Sequence, residues 1–303
     1  MLSLLKLLWM LGFNMRKRTL CITRLLLVLG SSLLFLSACS FNPADLINGS
    51  LSENHYTVQS LNYGKSSRQN MDIYRPNVDL GKTPIVFIYG GAWRTGAKSD
   101  YKFIGHALTQ LGHPVIIPDY QLFPAVSFPV FIDDVAKAIK AAEIKSPQLI
   151  GRPMNEFILM GHSAGAHSAA LLFTDRRYLN KERVKSRVAG LIALSGPYDL
   201  TLENPEVKDV FANAQGRSQP IDYIRPGLAP TLLLHGGADT RVLPYHTQTF
   251  AEALGAKDNY VEIQMYPNIG HVIILGAIAQ PLRGRADSFK DIAGFLSRLP
   301  SLR

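Results

Sequence analysis

Cysteine is nearly absent from this chain of 303 residues, and its two cysteines, Cys21 and Cys39, both lie within the first 39 positions. Residues 40–303 therefore contain no disulfide, no thiolate nucleophile and no zinc site built on cysteine. Histidine does not supply a substitute, because no H-x-x-x-H spacing occurs beside an acidic residue that could complete a zinc site. The sequence thus predicts chemistry that needs no metal.

Acidic residues are missing from the first 38 positions, which hold five of the 32 basic residues and none of the 23 acidic ones. The formal net charge of +9 is therefore concentrated at the N-terminus, and the remaining residues have a balance of only +4. They contain no basic stripe interleaved with aromatic residues, so we expect no nucleic-acid partner. A content of 47% hydrophobic residues excludes disorder and is enough to bury a large core.

The N-terminal positive charge precedes a short hydrophobic run. Basic residues at 16–24 are followed by residues 25–36 (LLLVLGSSLLFL) and then by the small residues Ser37 and Ala38. This order is typical of a secretory signal peptide, whereas a membrane-spanning helix needs about 20 apolar residues. We predict a signal peptide over residues 1–38, starting at Met1 or at Met15, because residues 1–14 fit the pattern poorly.

Residues 36–39 (LSAC) resemble the lipobox of bacterial lipoproteins, in which cleavage exposes a cysteine that receives lipid. The resemblance implies a lipid on Cys39 and attachment to a membrane through that anchor. In the sorting pattern of these lipoproteins, a serine at the position of Ser40 favours the outer membrane. Residues 39–54, rich in Ser, Asn and Gly, are predicted as a flexible tether. Residues 55–303 are then the folded domain, in the periplasm or outside the cell.

Short apolar runs alternate with helical patterns through this domain. The runs 56–63 and 71–75 alternate apolar and polar residues, as half-exposed antiparallel strands do. Further strands are predicted at 84–89, 115–118, 157–160, 188–194, 231–234 and 260–265, and helices at 99–111, 131–144, 164–173, 243–254 and 286–299. The alternation predicts an α/β fold with a doubly wound, mostly parallel sheet. Residues 198–230, rich in Pro, Asn and Gly, are expected to form an irregular excursion over one sheet edge.

The sharpest local motif is the G-x-S-x-G segment at residues 161–165 (GHSAG). It follows a predicted strand and precedes an Ala-rich helix, which is the setting of a nucleophile elbow. In such a turn the glycines remove side chains that would collide, and the serine oxygen is exposed above the sheet. Ser163 is therefore the candidate nucleophile.

A serine hydroxyl is a weak nucleophile and needs a base, an orienting acid and an oxyanion hole. In hydrolases with such an elbow the order along the chain is Ser, acid, His. His271 follows the strand predicted at 260–265 and is the candidate base, whereas the histidines at 162, 235 and 246 are expected to be structural. The order admits two acids, Asp239 after the strand at 231–234 and Asp199 after the strand at 188–194.

A Gly-Gly turn follows the strand predicted at 84–89, in the segment 89–93 (YGGAW). Its position before the elbow matches that of an oxyanion loop. The backbone N–H groups of Gly91, Ala92 and Ala164 are the candidate donors to a developing oxyanion.

Several ordered segments together resemble the α/β-hydrolase carboxylesterases. These segments are 90–96 (GGAWRTG), 119–124 (DYQLFP), 161–165, Asp239 and the pair 270–271. Within that family the chain is most similar to the HGGxW branch, which includes BD-FAE feruloyl-esterase-like proteins and kynurenine formamidases. The resemblance covers about residues 55–300. It implies an eight-stranded α/β-hydrolase fold, a Ser-Asp-His triad with Asp239 as its acid, and no cofactor.

Two positions depart from the pattern of that family. Tyr89 stands where the family usually has His, and Gln121 stands where an Arg is common. Neither belongs to the triad, but both bear on the support of the oxyanion loop and on the substrate.

The sequence therefore predicts an exported, lipid-anchored serine hydrolase that acts on small carboxylic esters. An amide hydrolase of the formamidase type and a non-catalytic envelope lipoprotein that uses the fold as a binding scaffold are the alternatives. The acyl and alcohol groups of the substrate are not encoded in a readable pattern, because residues 198–230 are expected to shape the pocket. No pattern in the sequence indicates an oligomeric state.

Overall fold

The structure is a computed structural model that describes residues 43–52, 54–202 and 204–302. The predicted signal peptide and Cys39 lie outside the described residues. The chain divides into the units 1–45 and 46–303, and the sheet and the candidate site belong to the second unit. Within the described residues, no helix is both long enough and apolar enough to cross a membrane.

Eight strands form one sheet in the order β1-β2-β4-β3-β5-β6-β7-β8. The strands are β1 (Tyr56–Asn62), β2 (Asn70–Pro76), β3 (Ile85–Ile88), β4 (Val115–Pro118), β5 (Glu156–His162), β6 (Arg187–Leu194), β7 (Thr231–Gly236) and β8 (Val261–Tyr266). β2 is antiparallel to both of its neighbours, and the other pairs are parallel. The predicted α/β-hydrolase fold with an eight-stranded, mostly parallel sheet is confirmed.

Helices connect and flank these strands. They are α1 (Pro43–Gly49), α2 (Lys102–Thr109), α3 (Val130–Leu149), α4 (Ala164–Thr174), α5 (Arg177–Lys181), α6 (Pro205–Lys208), α7 (Tyr245–Gly255), α8 (Ile273–Gly276) and α9 (Ser288–Arg298), with 3₁₀ turns at Lys98–Tyr101, Pro220–Tyr223, Gln280–Arg285 and Leu299–Leu302. All 11 residues of α4 are buried, since its small and apolar side chains let it pack on every side. The strands β3 and β7 are buried along their whole length, as expected for a sheet covered on both faces.

Part of the segment predicted as a flexible tether packs against the domain. The side chain of Asn48 accepts the Phe103 N–H at 3.1 Å and donates to the carbonyl of Ser99 at 3.1 Å. Ile47 and Leu51 are partly buried against the core. A flexible tether over 39–54 therefore does not describe residues 46–51, because these hydrogen bonds and apolar contacts fix them.

Residues 198–230, here called the cap segment, leave the sheet between β6 and β7. The segment was predicted to run over one sheet edge, and the two strands that it joins are interior strands of the sheet. Its Phe211 ring packs instead against Trp93 of the loop after β3, at 4.8 Å between ring centroids, and against Phe128 at 5.3 Å. The cap segment thus lies over the end of the sheet where the elbow serine is found.

Candidate active site

The turn after β5 holds Ser163 in a backbone conformation that few residues adopt. Its φ is 56°, which costs a non-glycine residue about 1–3 kcal/mol and persists only where the surroundings enforce it. The Ser163 N–H donates to the carbonyl of Leu194 in β6 at 2.9 Å, and the His167 N–H donates to the carbonyl of Ser163 at 3.1 Å. These bonds fix the serine between the end of a strand and the start of α4, where the sequence motif predicts it.

Glycines make this turn sterically possible. A Cβ atom on Gly161 would lie 2.3 Å from the carbonyl oxygen of Gly165, and one on Gly165 would lie 2.0 Å from that of Ile88. A Cβ atom on Gly90 would approach the Cβ atom of Ser163 to 2.9 Å. The elbow therefore packs directly against the loop after β3, and only glycine fits at these contacts.

His271 lies in the loop between β8 and α8, with its ring between Ser163 and Asp239. Its Nε2 is 2.9 Å from Ser163 Oγ, and its Nδ1 is 2.7 Å from Asp239 Oδ2. Because a carboxylate oxygen only accepts, Nδ1 donates to Asp239 and Nε2 of the neutral ring can accept the serine hydroxyl. The structure brings the three predicted residues into one hydrogen-bonded chain.

The carboxylate of Asp239 is buried and surrounded by donors. Its Oδ1 accepts the backbone N–H groups of Arg241 at 2.9 Å and Val242 at 3.0 Å, and His235 Nε2 lies 3.4 Å from Oδ2. Burial acts to raise the pKa of Asp239, but hydrogen bonds from His235, His271 and Val242 outweigh it and hold the pKa well below its usual range. Asp239 is therefore ionised at neutral pH.

Two further histidines hold the loops that carry these groups. His162 Nε2 donates to the carbonyl of His271 at 2.9 Å. His235 Nε2 donates to the carbonyl of Val242 at 2.9 Å, and its Nδ1 accepts the Thr247 hydroxyl at 2.7 Å. Burial, followed by repulsion from His271, lowers the pKa of His162 to about 3, so this ring is a neutral donor at physiological pH. Both histidines were expected to be structural, and each ring donates a hydrogen bond to the backbone of a loop that carries a residue of the site.

The second acid that the chain order allows is not part of this arrangement. Asp199 is exposed at the start of the cap segment, and its carboxylate is absent from the hydrogen bonds of His271, whose Nδ1 partner is Asp239. Of the two candidates, the structure connects Asp239 to the histidine.

The loop after β3 presents the amides that the sequence predicts for an oxyanion hole. Gly91 has a φ of 118° and Ala92 a φ of 51°, and the carbonyl of Gly91 accepts the Thr95 N–H at 3.0 Å. Within the described residues, the N–H groups of Gly91, Ala92 and Ala164 donate to no other group. Ala92 and Ala164 border the same cavity as Ser163. Free amides beside a nucleophile are suited to stabilise a negatively charged oxygen.

Tyr89 supports this loop at the position where a histidine is usual. Its hydroxyl donates to Asp119 Oδ1 at 2.7 Å and accepts from Arg68 Nη2 at 2.7 Å. The same Arg68 nitrogen donates to the carbonyl of Gly96 at 2.7 Å, so one guanidinium connects the two ends of the loop. The Tyr89 ring stacks on Tyr120 with centroids 4.6 Å apart. Burial raises the pKa of Tyr89 far above its usual value, and the hydroxyl stays protonated.

A cavity of about 210 Å³ opens beside Ser163. Its walls come from the loop after β3, the cap segment, the loop after β7 and the start of α7. Apolar side chains make up much of the lining, among them Trp93, Leu200, Val207 and Val242. A group with a small apolar body fits this space.

An ion pair joins the two sides of the cavity. Arg241, two residues after Asp239, donates to the carboxylate of Glu206 in the cap segment. Arg94, from the loop after β3, donates through Nε to the carbonyl of Glu206 at 3.2 Å. The residue at 206 thus connects the cap segment to two of the loops that form the site.

His246 has a different environment from the one expected for a structural histidine. It lines the cavity, is 9% exposed, and its ring makes no hydrogen bond to a described residue. The sequence places His246 correctly in a helix, but a helical pattern does not show which tertiary neighbours a side chain meets. No sequence signal would have identified it.

The described residues contain no group of three or more His, Cys, Asp or Glu side chains arranged to hold a metal ion.

The family model of BD-FAE matches residues 71–254, more than half of the chain. The matched range contains Ser163, Asp239 and the loop at 90–96, and it ends before His271.

The relatives of this chain include proteins named as a methylesterase and as a formamidase. The chain is 28% identical over 265 residues to the isoprenylcysteine alpha-carbonyl methylesterase of Arabidopsis thaliana. This alignment covers 78% of this chain and 61% of that protein. It is also 28% identical over 146 residues to the kynurenine formamidase of Danio rerio. That alignment covers 48% of this chain and 47% of the formamidase. The chain thus spans about three fifths of the length of the methylesterase.

Among solved structures, esterase B from Lactobacillus rhamnosis superposes with a TM-score of 0.73. The match covers 91% of this chain and 96% of the other at 16% sequence identity, and it shows a shared fold. The esterase and formamidase names of the relatives support a hydrolase of the esterase type.

Proposed function

The chain belongs to the BD-FAE family, and from that premise we propose that it hydrolyses carboxylic esters with Ser163 as the nucleophile. The proposal rests on one observation, the continuous hydrogen-bonded chain from Ser163 Oγ through His271 to the carboxylate of Asp239. The serine opens to a cavity that Ala92 and Ala164 also border. A nucleophile, a base, an orienting acid and oxyanion donors are the parts that acyl transfer needs.

In the proposed reaction, Ser163 Oγ attacks the ester carbonyl while His271 Nε2 takes the hydroxyl proton. The carbonyl oxygen becomes negatively charged and receives hydrogen bonds from Gly91, Ala92 and Ala164. His271 then protonates the leaving alkoxide, and a water molecule repeats the sequence on the acyl-enzyme to release the acid. The ionised Asp239 holds Nδ1–H towards itself, which keeps Nε2 free for the proton and stabilises the imidazolium.

Amide hydrolysis of the formamidase type is the second candidate, and the kynurenine formamidase relative favours it. The same groups would serve it, because a leaving amine also requires a proton from His271. A panel of acetyl, longer acyl, feruloyl and N-formyl substrates separates the two candidates by their values of kcat/KM.

The test of the reaction class is hydrolysis of p-nitrophenyl butyrate by the purified chain. Ser163→Ala should lower kcat by about 10⁵-fold or more, whereas Ser297→Ala, at a surface serine of α9, should leave kcat unchanged. A serine-directed phosphonate should abolish activity, and EDTA should not. Turnover that survives in Ser163→Ala, or that EDTA removes and zinc restores, would contradict the mechanism. A chain with no turnover on the whole panel would favour the binding scaffold.

We further propose that the chain is exported and held in the cell envelope by lipid on Cys39, with the outer membrane as the favoured site. The short hydrophobic run before residues 36–39 supports this location. In a bacterial host, Cys39→Ser should abolish palmitate labelling and membrane association, while Cys21→Ser should retain both. Unchanged labelling of Cys39→Ser would refute the anchor.

A further inference from the structure

His246 differs from the other buried histidines near the site in its hydrogen bonding. His162, His167 and His235 each bond to a backbone carbonyl at 2.9 Å. The ring of His246 bonds to no described residue, although it is 9% exposed and its Nδ1 is fully shielded from solvent. Buried polar groups are nearly always paired, so a ring without a partner calls for an explanation.

The position of His246 suggests what that partner is. The residue lies in the first turn of α7, and the little of it that remains exposed faces the cavity that contains Ser163. Its ring stacks on Tyr245 with centroids 4.2 Å apart, which fixes its plane at the cavity wall. The neighbouring walls at Leu200 and Val207 are apolar. His246 is therefore a polar group at the edge of an apolar space, within the same cavity as the nucleophile.

The charge state of the ring limits the kind of ligand it can bind. Burial is the main cause that lowers the pKa of His246, with repulsion from His235 adding to it and attraction by Asp199 opposing it. A neutral imidazole has one donor and one acceptor and offers no countercharge to an ion. Because burying an unpaired charge beside apolar walls is costly, the complementary group is neutral. Because Nδ1 is shielded from solvent, Nε2 is the ring nitrogen that a ligand in the cavity can reach. A hydroxyl, which both donates and accepts, matches Nε2 in either tautomer.

We propose that His246 is a specificity-determining residue that binds a hydroxyl group carried by the acyl or alcohol part of the substrate, away from the scissile carbonyl. The preferred substrates are then small hydroxylated esters, with an apolar body against the cavity walls and a hydroxyl at His246. This inference rests on the proposed function for its turnover, but the binding contact itself does not depend on the chemistry of Ser163.

The experiment compares matched esters with and without one hydroxyl. One pair carries it on the acyl chain, p-nitrophenyl 3-hydroxybutyrate against p-nitrophenyl butyrate. The other pair carries it on the alcohol, 4-hydroxybutyl acetate against butyl acetate. Wild-type protein should prefer the hydroxylated member of at least one pair by about tenfold in kcat/KM, the scale of one hydrogen bond. His246→Phe, which keeps an aromatic ring against Tyr245, should remove the preference, so that the two members of each pair have the same kcat/KM.

Further variants separate recognition from a structural role. His246→Leu should behave as His246→Phe does, and His246→Gln should retain part of the preference because its amide still forms hydrogen bonds. None of the three should lower the Tm, since the native ring has no hydrogen bond to lose. A fall in Tm without a change in preference would make His246 structural and overturn the proposal. Equal kcat/KM values for both members of both pairs in wild-type protein would also overturn it.

Calorimetry on Ser163→Ala tests the contact without turnover. The hydroxylated ester should bind about tenfold more tightly than the plain one, and adding His246→Phe should equalise the two Kd values. If wild-type protein hydrolyses no ester but this difference in affinity persists, the proposed function fails and the inference about His246 stands. Equal affinities would refute the inference even in an active esterase.

Discussion

The loops after β3, β5 and β7 and the cap segment border the same cavity, and the loop after β8 brings His271 to Ser163. The loops and the cap segment are held in partly different ways. In the loops, buried or half-buried side chains fix the backbone near functional groups, as the buried His162 fixes the loop of His271 and the half-buried Arg68 closes the loop after β3. The cap segment is held by the packing of Phe211, by a buried hydrogen bond from His167 Nε2 to the carbonyl of Ser218 at 2.9 Å, and by the exposed pair of Glu206 with Arg241. The groups that would perform the chemistry are therefore positioned by interior contacts, whereas the cap segment meets the loop after β7 through an exposed ion pair.

The largest effect is expected when the acid of the proposed triad, Asp239, is replaced. Asp239→Asn should lower kcat by about 10⁴-fold, because an amide no longer fixes the tautomer of His271 or stabilises its charged form. Asp199→Asn, in the cap segment, should change kcat by less than about threefold. The check is kcat on one activated ester with matching thermal unfolding curves. A dead Asp199→Asn enzyme beside an active Asp239→Asn would reverse the assignment.

Tyr89→Phe tests whether the loop after β3 is preset by its buried hydrogen bonds. Loss of the hydroxyl leaves Asp119 and Arg68 without a shared partner, and displaced oxyanion amides should lower kcat by about tenfold with little change in KM. Tyr101→Phe removes the hydroxyl from a ring that stacks on Tyr89 and is the matched control. The kcat and KM values of both variants on one ester decide the matter. Equal kcat in the two variants would show that the loop does not depend on Tyr89.

The buried donor His162 makes the loops sensitive to acid. Because its folded pKa is lowered to about 3, below the ordinary value near 6.5, the unfolded chain binds the extra proton first. Stability is therefore full above about pH 6.5 and falls as the pH drops below it, by about 1 kcal/mol per pH unit for this residue. His162→Gln should reduce the slope of Tm against pH between 6.5 and 5. An unchanged slope would show that His162 takes up a proton in the folded protein.

The smallest effect is expected at Glu206. Both partners of its pair with Arg241 are about half exposed, and such pairs contribute at most about 1 kcal/mol. Glu206→Gln and Arg241→Gln should each change kcat/KM by less than about threefold, and the double variant should resemble either single one. A hundredfold loss of kcat in Glu206→Gln would show that the cap segment, like the loops, positions the reacting groups.

The elements nearest the proposed chemistry could be predicted from the sequence because their signals are local. The buried runs of β3, β5 and β7 are short, apolar and bounded by turn residues, and their parallel order places the loops at 90–96, 161–165 and 239 at one end of the sheet. A Cβ atom at 161 would lie 2.3 Å from the carbonyl oxygen of Gly165 within the turn, and one at 165 would lie 2.0 Å from that of Ile88 in β3. Both requirements are visible in the sequence as the glycines of one motif. Local patterning was therefore sufficient for the elbow.

Other features depend on contacts between distant positions and left no local pattern. Arg68, Tyr89 and Asp119 lie 21 to 51 residues apart in the chain, and only the folded sheet brings them together. Helix α3 extends to residue 149, past the predicted end at 144 and through Pro147. Because Pro147 has no N–H to donate to the carbonyl of Glu143, that carbonyl accepts the Ser146 hydroxyl at 2.8 Å instead. The position of His246 at the cavity also depends on contacts between distant parts of the chain, and no local pattern indicates it.

The attachment of the cap segment has a consequence for how such an enzyme diversifies. The segment starts and ends on neighbouring strands whose parallel register, with Leu194 opposite Leu234, is set by the sheet alone. Because the entropic cost of closing a loop grows only slowly with its length, a longer, shorter or unrelated insert between β6 and β7 leaves the strand ends where they are. The cap segment can therefore be exchanged without moving the strands it joins, and transplanting one between related sheets should transfer substrate preference while the reacting groups stay in place.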